Sequence, residues 1–520
     1  MDNTTVKTLQ DLLEQSAASY GAKTFMKEKA GKEIAEISFS QLLSDCKRLA
    51  AFLREKCSEG ALHTAVIGLT SSAYLTAYFG NVCDGNVIIP LDAQLSAEDV
   101  CDHLQRSDTE VFCFDKRYAP MLPLIRQSCP KIHTYISLQA DDALTDVHTL
   151  PQILAAYEPV QAWNAVQPEQ LAAIVYTSGT TGKSKGVMLS HGNLIDNTMC
   201  QDNESTPDEV LLTVLPIHHV YCFTCDILLS LRYGGTVCVN DSMMHIAQNL
   251  KRFEPTTVLL VPMIAETIYK KIQAAAAASP DVPLAMIARA VYGPNMRGIY
   301  SGGAYLNPEL AKAYIEMGIP IAQGYGMTEC SPRITTGLWE QECRGDVGPI
   351  VNGCTVKIVD GEIWAKSPSV MMGYYKDPAA TAETLTEDGW LMTGDLGYVD
   401  ERNRVFITGR KKNLIILSNG ENVSPEELEN KFAGLDWLAE VLVYAEEGMV
   451  TAEIFPHPEV CREMTAEQIQ ALCREQIDKI NKTVSGAKAI RRLRIRDIEF
   501  DKTTSKKIKR MQTVQGVLCN

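Results

Sequence analysis

A chain of 520 residues with 46% hydrophobic and 22% charged side chains has the balance of a globular protein and the length for more than one domain. A formal net charge of −15 argues against a general nucleic-acid binder, which carries an excess of lysine and arginine. No stretch reaches the ~20 consecutive apolar residues that span a bilayer. The start Met1-Asp-Asn-Thr-Thr5 has no basic-then-apolar leader pattern, and sixteen irregularly spaced cysteines suit a reducing, cytoplasmic compartment.

Val6, Leu9, Leu12 and Leu13 open the chain with an amphipathic pattern. A helix is expected after Ser40, its N-cap, with Leu42, Leu43, Cys46, Leu49, Ala50 and Leu53 at helical spacing. Short apolar runs at 65–69, 87–91 and 111–114 alternate with helical stretches such as 72–82. That rhythm predicts an α/β fold with largely parallel sheets.

The run Leu171-Ala-Ala-Ile-Val175 reads as a buried strand. It feeds Tyr176-Thr-Ser-Gly-Thr-Thr-Gly-Lys-Ser-Lys-Gly186, three glycines among hydroxyls and lysines. Such a loop brings backbone N–H groups, hydroxyls and a cation around an anion. Gly-Thr-Thr-Gly by itself also reads as a plain turn. A Walker loop is excluded, because the position five before Gly182 is Thr177, not glycine. Lys185 then becomes the better phosphate ligand than Lys183.

Residues 210–220 read as a strand ending in Pro216 and the pair His218-His219. Cys222-Phe-Thr-Cys225 has CxxC spacing, but no second ligand pair follows and its neighbours are apolar, so these are core thiols. Runs at 236–239 and 257–262 are further strands, and Ala274–Ala278 ends a helix. Tyr300-Ser-Gly-Gly-Ala304 precedes a helix starting near Asn307-Pro308. Residues 319–329 read as a strand running into Gly324-Tyr-Gly-Met-Thr-Glu329. That turn can present a stacking ring and two oxygen ligands together.

From 345 the pattern changes to short strands with close turns, at 356–359, 362–364 and 405–408, with Thr393-Gly-Asp395 and Arg410-Lys-Lys412 among them. Ser424 caps a helix with Pro425 at its first position. Strands at 441–444 and 451–455 complete a small α+β unit. The segment 488–510 carries ten Lys/Arg against three Asp/Glu. It reads equally as a solvated face or as a surface for a polyanion.

These pieces together resemble the adenylate-forming superfamily of acyl-CoA synthetases, peptide-synthetase adenylation domains and luciferases. The loop from Tyr176 matches its phosphate signature, with Ser184 in place of proline. Gly324–Glu329, Thr393-Gly-Asp395, Arg410 with Lys412, and Lys502-Thr…Lys507-Ile-x-Arg510 match its other signatures, in order, over nearly the whole chain. The resemblance implies a large domain over 1–409, a small mobile domain over 410–520 and a hinge at Lys412. It implies attack of a carboxylate on the α-phosphate of Mg-ATP, release of pyrophosphate, and thioester formation by a thiol.

By the same resemblance, Lys507 bridges carboxylate and α-phosphate, with Lys506 adjacent. Thr177, Ser178, Gly179, Thr180, Thr181, Gly182 and Lys185 hold the β- and γ-phosphates. Glu329 binds Mg²⁺ and Thr328 contacts the α-phosphate. Tyr325, flanked by Gly324, Gly326 and Met327, stacks on adenine, with Gly302, Gly303 and Ala304 on the other side and Gln323 at the edge. Asp395 and Arg410 hold the ribose, and His219 gates an acyl pocket. Ser184, lacking the ring, leaves the loop more flexible. The room left by Gly302, Gly303 and Gly324 favours an apolar tail, a medium- or long-chain fatty acid. Coenzyme A is the first thiol and a free acyl carrier protein the second. A nucleotide-binding relative without catalysis is the alternative of another class.

Overall fold

The computed structural model describes residues 5–57, 60–141, 143–177, 184–200, 206–340, 342–417, 422–486, 488–502 and 508–510. The chain divides into two compact units. One runs to Val356 and takes in Ala365–Leu391; the other comprises Lys357–Trp364 and the chain from Met392 onward. The fold is α/β, with a large N-terminal unit of mostly parallel sheets and a separate small C-terminal one.

The large unit is built on two sheets. The first is seven-stranded, in the spatial order Ile321–Gln323, Gly298–Ser301, Thr257–Leu260, Val210–Thr213, Thr236–Val239, Thr24–Ala30, Glu33–Ser38. All neighbours are parallel except the last hairpin. The second is eight-stranded, in the order Gly373–Tyr374, Lys185–Ser190, Leu171–Thr177, Val87–Leu91, His63–Ile67, Val111–Phe114, Thr134–Ser137, His148–Thr149. It is parallel from Leu171–Thr177 onward and antiparallel at the edge that carries Lys185.

Strands such as Val87–Leu91 and Val111–Phe114 are buried at every position, as their unbroken apolar runs require when helices cover both faces. Successive residues face opposite cores. Val66 and Ile88 join the cluster shared with helices Leu9–Tyr20, Phe39–Lys56 and Ser72–Val82, while Ala65, Ile67 and Ile89 join a second cluster. Helix Ser72–Val82 is buried on all sides from Tyr74 to Val82, so its sequence is mostly apolar, and the polar Thr76 and Asn81 side chains bond back to the helix carbonyls of Ser72 and Ala77.

The helix expected after Ser40 begins two residues earlier. Phe39–Lys56 is capped by Ser38, whose hydroxyl accepts from the Gln41 N–H, and Ser40 lies in the first turn. Phe39 is buried at its first position, which moves the cap back to the preceding serine. The run at 210–220 is a strand only to Thr213, and Pro262 opens helix Pro262–Ala278 rather than ending a strand. Helix Pro308–Glu316 capped by Asn307 and helix Pro425–Asn430 capped by Ser424 stand where the sequence puts them.

A four-stranded sheet in the order Thr355–Val359, Glu362–Lys366, Leu391–Val399, Val405–Arg410 falls mostly within the small unit. A three-stranded sheet of Leu438–Glu446, Met449–Pro456 and Arg492–Ile495 follows, packed with helix Ala466–Asn481 around Phe432, Val443, Ile454, Cys473 and Ile477. Among the described residues, no helix is long and apolar enough to cross a membrane.

Candidate active site

The parallel strands Thr257–Leu260, Gly298–Ser301 and Ile321–Gln323 end together, and ligands of such sheets bind beyond their carboxyl ends. Gly302, Gly303 and Ala304 follow one of these ends and Gln323–Tyr325 another. The Gln323 side-chain amide donates to the Ala304 carbonyl at 3.2 Å, and the Gly324 N–H donates to the Ser301 carbonyl at 2.9 Å. The residues matched to adenine binding are therefore brought to one place.

Tyr325–Gly326 pairs antiparallel with Arg333–Thr335, and the Tyr325 N–H donates to the Thr335 hydroxyl. A Cβ on Gly326 would lie 1.9 Å from the Pro332 carbonyl oxygen, so only glycine fits there. Met327 N–H donates to that same oxygen and closes the turn. Thr328 then starts the one-turn helix Thr328–Cys330, which turns Glu329 inward to a buried position.

Four neighbouring segments hold this turn. The Asn197 amide donates to the Cys330 and Arg333 carbonyls at 3.0 Å each. The Thr224 hydroxyl donates to the Ser331 carbonyl, the Ser331 hydroxyl to the Ser369 carbonyl, and the Met371 N–H to the Glu329 carbonyl. The Tyr374 hydroxyl donates to Glu329 Oε1 at 2.8 Å. Tyr374 also lies under the cation of Lys185, whose Nζ stands 4.8 Å from the ring centroid. Strand Gly373–Tyr374 pairs with Val187 and Met188, so the backbone keeps ring and lysine on adjacent strands.

Thr177 and Lys185 are register partners at the two ends of the phosphate-loop segment. Ser178, Gly179, Thr180, Thr181 and Gly182 lie outside the described residues, as do Lys506 and Lys507.

His218 and His219 part company. His218 is buried, its ring 4.3 Å from that of His219, and burial pushes its pKa down to about 3. Its Nε2 is 3.7 Å from Asp92 Oδ1, too long for a hydrogen bond, and the neutral ring makes no ion pair with it. His219 is exposed at the start of helix Val220–Cys222. That helix continues as the π-helical turn Phe223–Leu228, a rare form that marks functional segments more often than chance. The space expected beside Gly302 is taken. A Cβ there would meet the Tyr221 ring at 2.9 Å, while one on Gly303 would lie 3.9 Å from Val261 and one on Gly324 3.4 Å from the Thr335 carbonyl.

Cys222 and Cys225 are core thiols, as the apolar surroundings imply. Cys222 Sγ lies 3.2 Å from the Leu215 carbonyl, and burial pushes Cys225 up to about 12.

In the small unit, Asp395 is a buried mid-strand residue in register with Arg410, whose Nε lies 2.8 Å from Asp395 Oδ1. Gly394 N–H and Lys411 Nζ both donate to Glu362. Burial raises the Glu362 carboxyl, but these donors outweigh it and hold the pKa below its usual value. Lys412 lies in the single turn Lys411–Asn413 that follows.

Tyr374, Asn197 and Thr224 escaped the sequence reading. Nothing in their spacing marks them, because each meets Glu329 or its turn across 45 to 136 residues.

The model of the AMP-binding enzyme family matches residues 13–375, and that of the AMP-binding enzyme C-terminal domain matches 412–516. The chain is 24% identical over 484 residues to the long-chain-fatty-acid–CoA ligase ACSBG2 of Xenopus laevis, covering 81% of this chain and 65% of that protein. It is 34% identical over 306 residues to 4-coumarate–CoA ligase 3 of Oryza sativa subsp. japonica, covering 54% and 52%. It thus spans about two thirds of the first relative's length and about half of the second's. Its fold is that of the anthranilate CoA ligase AuaEII crystallised with anthranoyl-AMP, with a TM-score of 0.84 over 99% of both chains at 18% identity.

Proposed function

The chain belongs to the AMP-binding enzyme family, and from that premise we propose that it is an AMP-forming acid–thiol ligase. It joins a carboxylic acid to the α-phosphate of ATP, releases pyrophosphate, and passes the acyl group to the thiol of coenzyme A. The observation that carries this reading is the Lys185–Tyr374–Glu329 linkage. It sets one cation and one buried carboxylate on the same aromatic ring, as a site for a metal-bound polyphosphate requires.

The chemistry places an anionic carboxylate against a polyanionic phosphate, so charge neutralisation and positioning dominate. Lys185 and the loop from Thr177 hold the β- and γ-phosphates. Tyr325 stacks on adenine, Gln323 meets its edge, and Thr328 contacts the α-phosphate. Asp395 accepts from the ribose hydroxyls, with Arg410 beside it. Lys507, assigned from its motif, neutralises the attacking carboxylate and α-phosphate, and Lys412 is the hinge of a mobile C-terminal domain. Glu329 fits Mg²⁺, since a single buried carboxylate is what that ion takes when phosphates and water supply its other ligands. Bound there, Mg²⁺ would neutralise phosphate charge.

The acid has an apolar body. A medium- or long-chain fatty acid is the first reading, supported by ACSBG2 among the relatives, with His219 as the residue that gates its pocket. The Tyr221 ring over Gly302 favours a second, a compact aryl acid such as those of the coumarate ligases. An acyl carrier protein is the alternative thiol.

A panel of acids from C2 to C18 with aryl acids, with ATP, Mg²⁺ and coenzyme A, separates these readings by the AMP formed. We expect AMP with at least one class. If no acid supports AMP formation or ATP–pyrophosphate exchange, the ligase reading gives way to a nucleotide-binding relative without catalysis.

A further inference from the structure

We infer that His103 and Arg106 are positioning residues for the phosphate loop, gripping its two ends through Tyr176 and Ser184 in place of the proline that the family carries at 184. This rests on the reading of 177–185 as that loop.

Both side chains come from one helix, Ala97–Arg106, which buries His103 beside Val100 and Leu104. The His103 ring stacks on Tyr176, with centroids 4.2 Å apart and planes 21° from parallel. Its Nε2 lies 2.6 Å from Ser184 Oγ. Arg106 repeats the pattern. Its guanidinium sits 5.3 Å from the Tyr176 centroid, Nη2 donates to the Ser184 carbonyl at 2.5 Å, and Nη1 reaches Ser184 Oγ at 3.3 Å while pairing with Asp102 at 3.0 Å. Tyr176 and Thr177 lead into the loop, and Ser184 and Lys185 lead out of it. The helix therefore holds entry and exit at once.

The proton inventory fits a fixed clamp. Burial lowers the His103 pKa and keeps the ring neutral. Its Nδ1 has no partner among the described residues. An unprotonated nitrogen there costs less than a buried, unpaired N–H, which puts the proton on Nε2 as the donor to Ser184 Oγ. Proline would fix φ through its ring. Ser184 is fixed instead by two donors on its hydroxyl and one on its carbonyl, so the flexibility expected from the missing ring is offset at its own position.

The test is a double-mutant cycle on the full chain, reading ATP and AMP affinities by calorimetry. His103→Phe keeps the stack on Tyr176 and removes only the Nε2 donor. We expect it to weaken ATP five- to tenfold and to leave AMP unchanged, since AMP lacks the β- and γ-phosphates. In a Ser184→Ala background, and equally with Ser184→Pro, the same change should cost less than twofold. An equal cost in both backgrounds, or a parallel fall for ATP and AMP, overturns the inference. Lys185→Ala is the control for the loop itself. If it leaves the preference for ATP over AMP unchanged, the phosphate-loop reading fails; if it abolishes that preference while His103→Phe does nothing, only the clamp fails.

Discussion

Asp226 is fully buried in the π-helical turn, and burial pushes its carboxyl up to about 7. Its Oδ2 accepts from the Thr213 hydroxyl at 2.6 Å, and its Oδ1 has no partner among the described residues. An unfolded aspartate titrates near 3.9. Below that pH both states hold the proton. Between about pH 4 and 7 the unfolded chain releases it while the folded chain keeps it, so stability falls by on the order of 4 kcal/mol across that window. Above pH 7 this contribution is flat. Asp226→Asn mimics the neutral acid and should remove the slope, so the variant's thermal midpoint should gain on the wild type between pH 5 and pH 8. An identical offset at both pH values would show that Asp226 ionises normally. The same desolvation keeps the buried His218 neutral.

At the level of elements, two serines bracket Phe39 and only one of them caps. Ser38→Ala removes the hydroxyl that accepts from Gln41 N–H and should cost ~1 kcal/mol. Ser40→Ala, inside the first turn, should stay within about 0.5 kcal/mol. Chemical denaturation of the two variants side by side checks this, and the reverse ranking would return the cap to Ser40. The basic segment 488–510 behaves as internal wiring. Lys488 pairs with Glu427, Arg492 and Arg494 with Glu446, Arg496 with Glu453, Lys502 with Glu499 and Arg510 with Glu429. Six of its ten cations thus meet carboxylates of their own unit, so its charge excess is largely cancelled before any ligand is considered.

For the whole molecule, each unit has its own core. Among the described residues, the cluster of Ile415, Val423, Leu428, Phe432, Val443, Ile454, Cys473, Ile477 and Ile490 draws on none before 415. A fragment covering 412–520 should therefore fold alone, with a cooperative far-UV melt and the helix signal of Ala466–Asn481. A broad, non-cooperative melt would show that the core needs residues further upstream.

The motifs that pointed to adenylate chemistry were legible because their reasons are local. Gly326 must be glycine where its backbone meets Pro332, Asn307 and Ser424 cap the helices that follow them, and the apolar runs at 87–91 and 111–114 can only be buried strands. Local geometry and short-range periodicity are written in neighbouring residues. What surrounds the site was not legible. Tyr374 under Lys185, Asn197 and Thr224 on the Glu329 turn, Tyr221 filling the space at Gly302, and His103 and Arg106 on Ser184 are all meetings between distant segments. Sheet order and helix packing bring them together, and no spacing along the chain encodes which side chains then face each other. The sequence by itself determined the fold class and the family's signature residues. Only the tertiary structure decided what holds those residues in place and how much room they leave, because side-chain packing is set by contacts across the fold.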